Sequence, residues 1–243
     1  MYSQVKLLLM GTPEGSAAVI QGMMEDNSGT LSEPSTGNAS MERSGIIEYA
    51  CEFDKVDFGI LDVSRMKGTT SRKWIHCFEG VFAVIFSTSL NDYDQVTEGG
   101  NNKLRENMNE FDAVCNNVWF TKTSSIILLL TERNLFDAKI ADSPLTVCFP
   151  EYKGGKGKLK AAEYIKQRFE ELLKRNFKEE KQMYSRITQD SDAGMTHFVI
   201  SSIKDVIIIE NLKHCGLLAK PKRKKRSKLS KFTRGTKSIN IFR

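Results

Sequence analysis

Val81–Ser87 reads VFAVIFS, seven residues without a charge. A run this short and this continuously apolar predicts a strand buried on both faces. Similar runs lie on either side of it. Val5–Met10 (VKLLLM) ends at a glycine, Ile126–Leu130 is wholly apolar, and Met183–Ile187 closes the series. Ile46–Phe53 and Val56–Asp62 are close enough in sequence to pair as a hairpin. Between these strands the spacing turns helical at Ser16–Glu25, Leu104–Cys115, Lys160–Lys174 and Met195–Leu212. The third of these sets Ala161, Tyr164, Ile165, Phe169 and Leu172 along one side. Buried strands alternating with helices predict an α/β fold with a mostly parallel sheet covered on both faces. Ligands of such sheets sit at the carboxyl ends of the strands. The loops after Met10, Asp62, Leu130 and Ile187 are therefore the places to look for a site.

Charge is unevenly placed. The chain of 243 residues has a formal net charge of +6. Ala219–Arg243 holds 11 of the 36 basic residues and no acid. The remaining 25 basic residues face 30 acidic ones, a net of −5. The body therefore does not read as a nucleic-acid-binding surface, and only the tail could be one. The five cysteines are scattered, with no C-x-x-C pair, which predicts reduced thiols rather than a disulfide framework. No Met-Gly start or C-terminal prenylation box is present. Asp26–Ser44 is rich in Ser, Gly, Thr and Asn and lacks periodicity, so it reads as a flexible linker. His197 and His214 stand alone, and no triad or metal spacing can be assembled from the sequence.

Several strings resemble G-protein alpha subunits in series. They are KWIHCFE at Lys73–Glu79, DYDQ at Asp92–Gln95 and FDAVCNNVWFTKTS at Phe111–Ser124. SPLTVCFPEY at Ser143–Tyr152 and NLKHCGLL at Asn211–Leu218 complete the set. The resemblance spans about residues 5 to 218, and its Cys-Gly-Leu ending is similar to the inhibitory class. It implies a Ras-like P-loop domain with a six-stranded sheet, over 1–218. The tail, 219–243, is expected to be a disordered polybasic segment. Only residues 26–44 stand where the family inserts an all-helical domain of roughly a hundred residues, so that domain is expected to be absent. The family's N-terminal lipid-bearing helix is expected to be absent as well.

The resemblance also implies a guanine nucleotide site with magnesium, but most of its residues are replaced. The phosphate loop G-x-G-E-S-G-K-S falls on Gly11-Thr12-Pro13-Glu14-Gly15-Ser16-Ala17-Ala18. Ala17 replaces the lysine that reaches the phosphates and Ala18 the magnesium ligand. Pro13 removes an N–H donor. In switch I the transition-state arginine becomes Ser40 and the magnesium-binding threonine becomes Arg43. In switch II, Asp62 remains as a magnesium remnant and Met66 replaces the water-orienting glutamine. The base-reading motifs fall on Thr131-Glu132-Arg133-Asn134 and on Thr188-Gln189-Asp190-Ser191. Asn134 lacks the second carboxylate oxygen that accepts from guanine. Thr131 and Asn134 are expected to do no more than cap a surface loop.

No catalytic residue of the family is therefore retained, and no cofactor is expected. The remnants of the nucleotide site are Gly11, Glu14, Gly15, Ser16, Ala17, Thr131, Asn134 and Thr188. The matched switch II helix, Lys73, Trp74, Ile75, His76, Cys77 and Phe78, is the expected partner surface for a beta-gamma dimer or effectors. Two function classes follow: a non-enzymatic interaction protein, or a GTP-binding transducer with an unorthodox site. The replaced Ala17 and Ala18 favour the first. The tail, with PKRKKR at Pro221–Arg226, is expected to bind an import receptor, an anionic membrane or nucleic acid. It puts receptor coupling in doubt. The expected location is cytoplasmic, with nuclear import or peripheral membrane attachment as alternatives.

Overall fold

The computed structural model describes residues 5–25, 45–53, 56–66, 80–116, 125–176, 183–188, 193–215 and 217. The chain divides into two compact units, Met1–Ile207 and Ile208–Arg243. In the first, β1 (Val5–Gly11) leads into α1 (Pro13–Glu25). Next come β2 (Ile47–Phe53), β3 (Val56–Asp62) and β4 (Ala83–Ser89). A 3-10 turn, Leu90–Asp94, precedes α2 (Lys103–Asn116). β5 (Ser125–Thr131) is followed by the short α3 (Arg133–Lys139) and a 3-10 turn, Leu145–Val147. α4 (Lys158–Asn176), β6 (Met183–Ile187) and α5 (Ala193–His214) complete the order. The second unit begins within α5; there Cys215 donates to the carbonyl of Asn211 at 2.9 Å and Leu217 to that of Leu212 at 2.9 Å, which ends the helix.

The six strands form one sheet in the order β2-β3-β1-β4-β5-β6. β2 and β3 are the antiparallel hairpin that their spacing predicts, and the other pairings are parallel. Strand period two sorts the apolar side chains between the two faces. Leu7, Leu9, Ile85, Ile127 and Leu129 pack with Val19 and Met23 of α1 and Met195, Val199 and Ile203 of α5. The opposite set, Phe86, Ile126, Leu128 and Leu130, packs with Phe111 of α2 and Ile165 and Phe169 of α4. There Phe111 sits edge-on to both Phe86, at 5.1 Å, and Phe169, at 5.3 Å, a favoured aromatic geometry. Both faces are thus covered, as the charge-free β4 and β5 require. Among the described residues no helix is long and apolar enough to cross a membrane.

Several elements differ from the sequence expectation. α1 starts at Pro13 rather than Ser16, and α3 together with both 3-10 turns fills stretches that periodicity leaves unassigned, being too short to show a period.

Candidate functional site

The strand order reverses about β1, so the carboxyl end of β1 between β3 and β4 is where such a sheet places a ligand. Gly11 ends β1 at φ +98°, and a Cβ on it would overlap the backbone carbonyl of Ser87 in β4. The N–H of Thr12 donates to that same carbonyl at 2.9 Å. Pro13 then opens α1 directly. Its missing N–H and fixed φ suit the first position of a helix. Thr12 caps that helix: its Oγ1 accepts from the N–H of Gly15 at 3.3 Å and its carbonyl from the N–H of Ser16 at 3.0 Å. No loop is left between strand and helix. The amides of Gly15 and Ser16, which a phosphate loop would turn toward a ligand, are held inside the first helical turn.

The other remnants follow this closure. Gly15 lies against the side chain of Ser87, whose hydroxyl faces the carbonyls of Met10 at 3.4 Å and Thr12 at 3.5 Å. Ser16 is buried, and its hydroxyl has no partner among the described residues. Glu14 and Ala17 are exposed, and Ala18 packs against the core shared by α1 and α5.

At the end of β3, Asp62 is buried and its Oδ1 accepts from the N–H of Ser64 at 2.9 Å. The carboxylate is turned into its own turn. Burial, and after it the charge of Asp62, raises the pKa of the Tyr49 phenol, with Arg65 acting in the opposite sense. Met66 is half-buried against the cluster of Leu8, Leu61, Val63 and Val84. Gly45, at φ +83°, comes close to it: a Cβ there would meet Met66 Cγ at 3.3 Å. A thioether packed into apolar side chains cannot orient a water. Among the described residues, the donor set at these positions does not fit magnesium or a nucleotide phosphate. Among the described residues no three His, Cys, Asp or Glu side chains gather into a metal-holding group.

The ends of β4 and β5 carry a polar network that the motif reading passes over. Lys103 of α2 pairs with Asp92 at 2.9 Å. Asn107 donates to Thr88 Oγ1 at 2.9 Å and to Asp92 Oδ2 at 3.0 Å. Burial raises the Asp92 carboxyl, with Lys103 and Asn107 pulling it back. Lys103 is desolvated but its pKa is raised, because Asp92 bonds to it and the charges of Glu14 and Glu132 add to the attraction. Glu132 also accepts from the Ser89 hydroxyl and stands at a left-handed φ of 56°. Lys139 pairs with Asp94 at 2.6 Å and Arg133 with Asp137 at 2.7 Å. The cations around these strand ends are thus committed to carboxylates, and the acids Glu14 and Glu132 would oppose an incoming phosphate.

The base-reading positions are corrected by the structure. Thr131 is the buried last residue of β5, with its hydroxyl 3.5 Å from the carbonyl of Thr88. Asn134 is exposed within the first turn of α3, whose N-cap, Glu132, makes no side-chain cap bond. Neither caps a loop. Thr188 is buried and bonded through its N–H to the carbonyl of Leu130 at 2.8 Å, extending the sheet. Ser40 and Arg43, the switch II segment from Lys73 to Phe78 and the tail 219–243 lie outside the described residues. The network residues Lys103, Asn107 and Ser87 carry no motif. The apolar run VFAVIFS holds one hint, a serine where every other residue before it is apolar.

A family model described as G-protein alpha subunit matches residues 31–207. The match starts beyond β1 and α1, the segment in which the strand runs straight into the helix.

Proposed function

The chain belongs to the G-protein alpha subunit family, and from that premise we propose that it acts as a pseudo-GTPase, signalling through protein contacts rather than GTP hydrolysis. It is a G-protein alpha-like signalling protein. The observation that carries the pseudo-GTPase reading is the β1–α1 junction, where Thr12 bonds to Ser87 and Pro13 opens the helix. A phosphate site needs free amides on a loop and a cation beyond them. Here Gly15 and Ser16 donate to Thr12, and Ala17 stands where the lysine would be. The half-buried Met66, packed against apolar side chains, supports the loss of hydrolysis. The string KWIHCFE supports a beta-gamma dimer or an effector as the partner, bound through Lys73, Trp74, Ile75, His76, Cys77 and Phe78. The Cys-Gly-Leu string supports kinship with the inhibitory class. The polybasic segment 219–243 would direct location, to the nucleus or to an anionic membrane.

Titration with a fluorescent GTP analogue in magnesium tests the first half. No binding is expected, and a dissociation constant below about 1 μM, roughly −8 kcal/mol, would overturn the reading. Capture of beta-gamma by the nucleotide-free chain, weakened by Trp74→Ala with Phe78→Ala, tests the second half. Equal capture by the variant would place the partner surface elsewhere.

A further inference from the structure

The start of α4 is a cationic surface that the family function leaves unused. Between Tyr152 and Ala161 the chain reads Lys153-Gly154-Gly155-Lys156-Gly157-Lys158-Leu159-Lys160, and every one of these residues is exposed. Among the described residues none of the four lysines forms an ion pair. The nearby acids are engaged: Glu151 with the Tyr164 hydroxyl at 3.3 Å and Arg168 at 3.8 Å, and Glu163 with Lys166 at 3.0 Å.

The helix itself is built for an anion. The Gly157 carbonyl accepts from the N–H of Ala161 at 2.9 Å, so a glycine occupies the N-cap and supplies no side-chain acceptor to the first-turn amides. The positive end of a helix dipole normally attracts a carboxylate. The first turn of α4 has no acid, and Lys158 and Lys160 stand there instead. Helix N-terminus and lysines thus repel one another until an anion arrives.

An independent observation comes from beneath the loop. Tyr152 is only 8% exposed, and its hydroxyl has no hydrogen-bond partner among the described residues. That hydroxyl lies under Gly154, where a Cβ would fall on it. The ring is fixed by Tyr164, 4.9 Å away. A buried O–H without an acceptor is costly and uncommon. This one is a donor aimed into the glycine loop. Gly155, at φ +68°, turns the chain with nothing over it, leaving the loop uncovered.

We propose that residues 153–160 bind the phosphate headgroups of anionic lipid and dock this unit on a membrane surface. The lysines meet the headgroup phosphates, and the first-turn amides and the Tyr152 hydroxyl donate to their oxygens. A free phosphate could use the same donors. Leu159 selects the bilayer: it is 70% exposed between Lys158 and Lys160, an apolar side chain among basic ones, as at membrane interfaces.

Because the tail is also basic, the readout must be local. The full chain is mixed with phosphatidylcholine vesicles, with and without phosphatidylserine, and amide exchange is followed at 153–161. Phosphatidylserine is expected to slow exchange there. Replacing all four lysines by glutamine should abolish that slowing and weaken vesicle binding by on the order of ten-fold or more. Tyr152→Phe, which keeps the ring, should weaken it a few-fold, and unchanged melting temperatures show that both variants fold. Vesicle binding with no change at 153–161, equal in the lysine variant, would assign the membrane contact to the tail and overturn the proposal. Slowing by inorganic phosphate but not by vesicles would overturn the lipid assignment.

Discussion

The N–H of Thr12 and the carbonyl of Ser87 are 2.9 Å apart, and this bond fixes the end of β1 to the middle of the neighbouring strand's exit. It lets the chain enter α1 one residue later, because Pro13 needs no partner for an N–H and Thr12 caps the turn. The approach is possible only because Gly11 has no side chain. The junction thus joins a local choice, Gly-Thr-Pro, to a long-range contact with β4.

Gly11→Ala should be strongly destabilising. Its φ of +98° is strained for alanine and its Cβ would meet the Ser87 backbone. The expected loss is about 2–4 kcal/mol. Gly155→Ala, at φ +68° with nothing within reach, should cost only about 1 kcal/mol. Urea midpoints of the two variants check this, and equal losses would mean that the close approach to Ser87 does not matter.

Restoring the two motif residues should not restore nucleotide binding. In Ala17→Lys with Ala18→Ser, the first-turn amides still donate to Thr12, and no loop is created. The double variant is expected to show no rise in melting temperature with GDP and magnesium. A ligand at a hundred times its dissociation constant would add about 2.7 kcal/mol, so a clear rise would show that the helix start unwinds around phosphate.

Lys103 should make the stability of this fold depend on acid. Asp92 is 3% exposed, and burial already raises its pKa against the pull of Lys103 and Asn107. Lys103→Ala deletes that pull, so Asp92 rises further. A carboxyl raised in the folded state stabilises when protonated, and that stability is lost as pH rises through the folded value. At neutral pH the variant should lose about 1–3 kcal/mol, since the half-exposed Lys103 is screened by water. The gap to the wild type should narrow as pH falls toward the acidic range. A constant gap from pH 4 to pH 7, roughly the span over which carboxyls titrate, would contradict the assignment.

Cys148 should be silent and alkali-sensitive. Burial pushes its thiol up to about 11, only partly opposed by Arg105, while the thiol faces Asn102 Oδ1 at 3.2 Å. Keeping it neutral contributes stability that is full below the ordinary value of 9.0 and is lost as pH rises toward about 11. Cys148→Ala should therefore lose less stability than the wild type between those pH values. Chemical denaturation at both ends of the window measures this. In the native chain an alkylating reagent at mildly alkaline pH should modify the exposed Cys215 and spare Cys148.

The architecture was legible in the sequence because burial on both faces leaves an unmistakable trace. Strands such as β4 and β5 have no solvated side, so every position is apolar or small. α4 repeats its buried positions at helical spacing, with Ala161, Ile165 and Phe169 falling on the core side. The serial strings from residue 73 to 218 pointed to the family, and the identities of Ala17, Ala18 and Met66 were plain as letters.

What those letters do was decided only by tertiary contacts. Gly-Thr-Pro can open a loop or cap a helix; the carbonyl of Ser87, seventy-five residues from Thr12 in the chain, selects the cap. Met66 could face a cleft or the core, and its packing among Leu8, Leu61 and Val84 chooses the core. Lys103 looks like a solvated helix residue until Asp92 arrives from the preceding turn. The sequence by itself determined the six strands and the longer helices, because apolar runs and periodicity are local; α3 and the 3-10 turns were too short to leave such a trace. Partners of buried polar groups are set by chain segments far apart in sequence, and only the folded chain brings their charges and hydrogen-bond donors within reach.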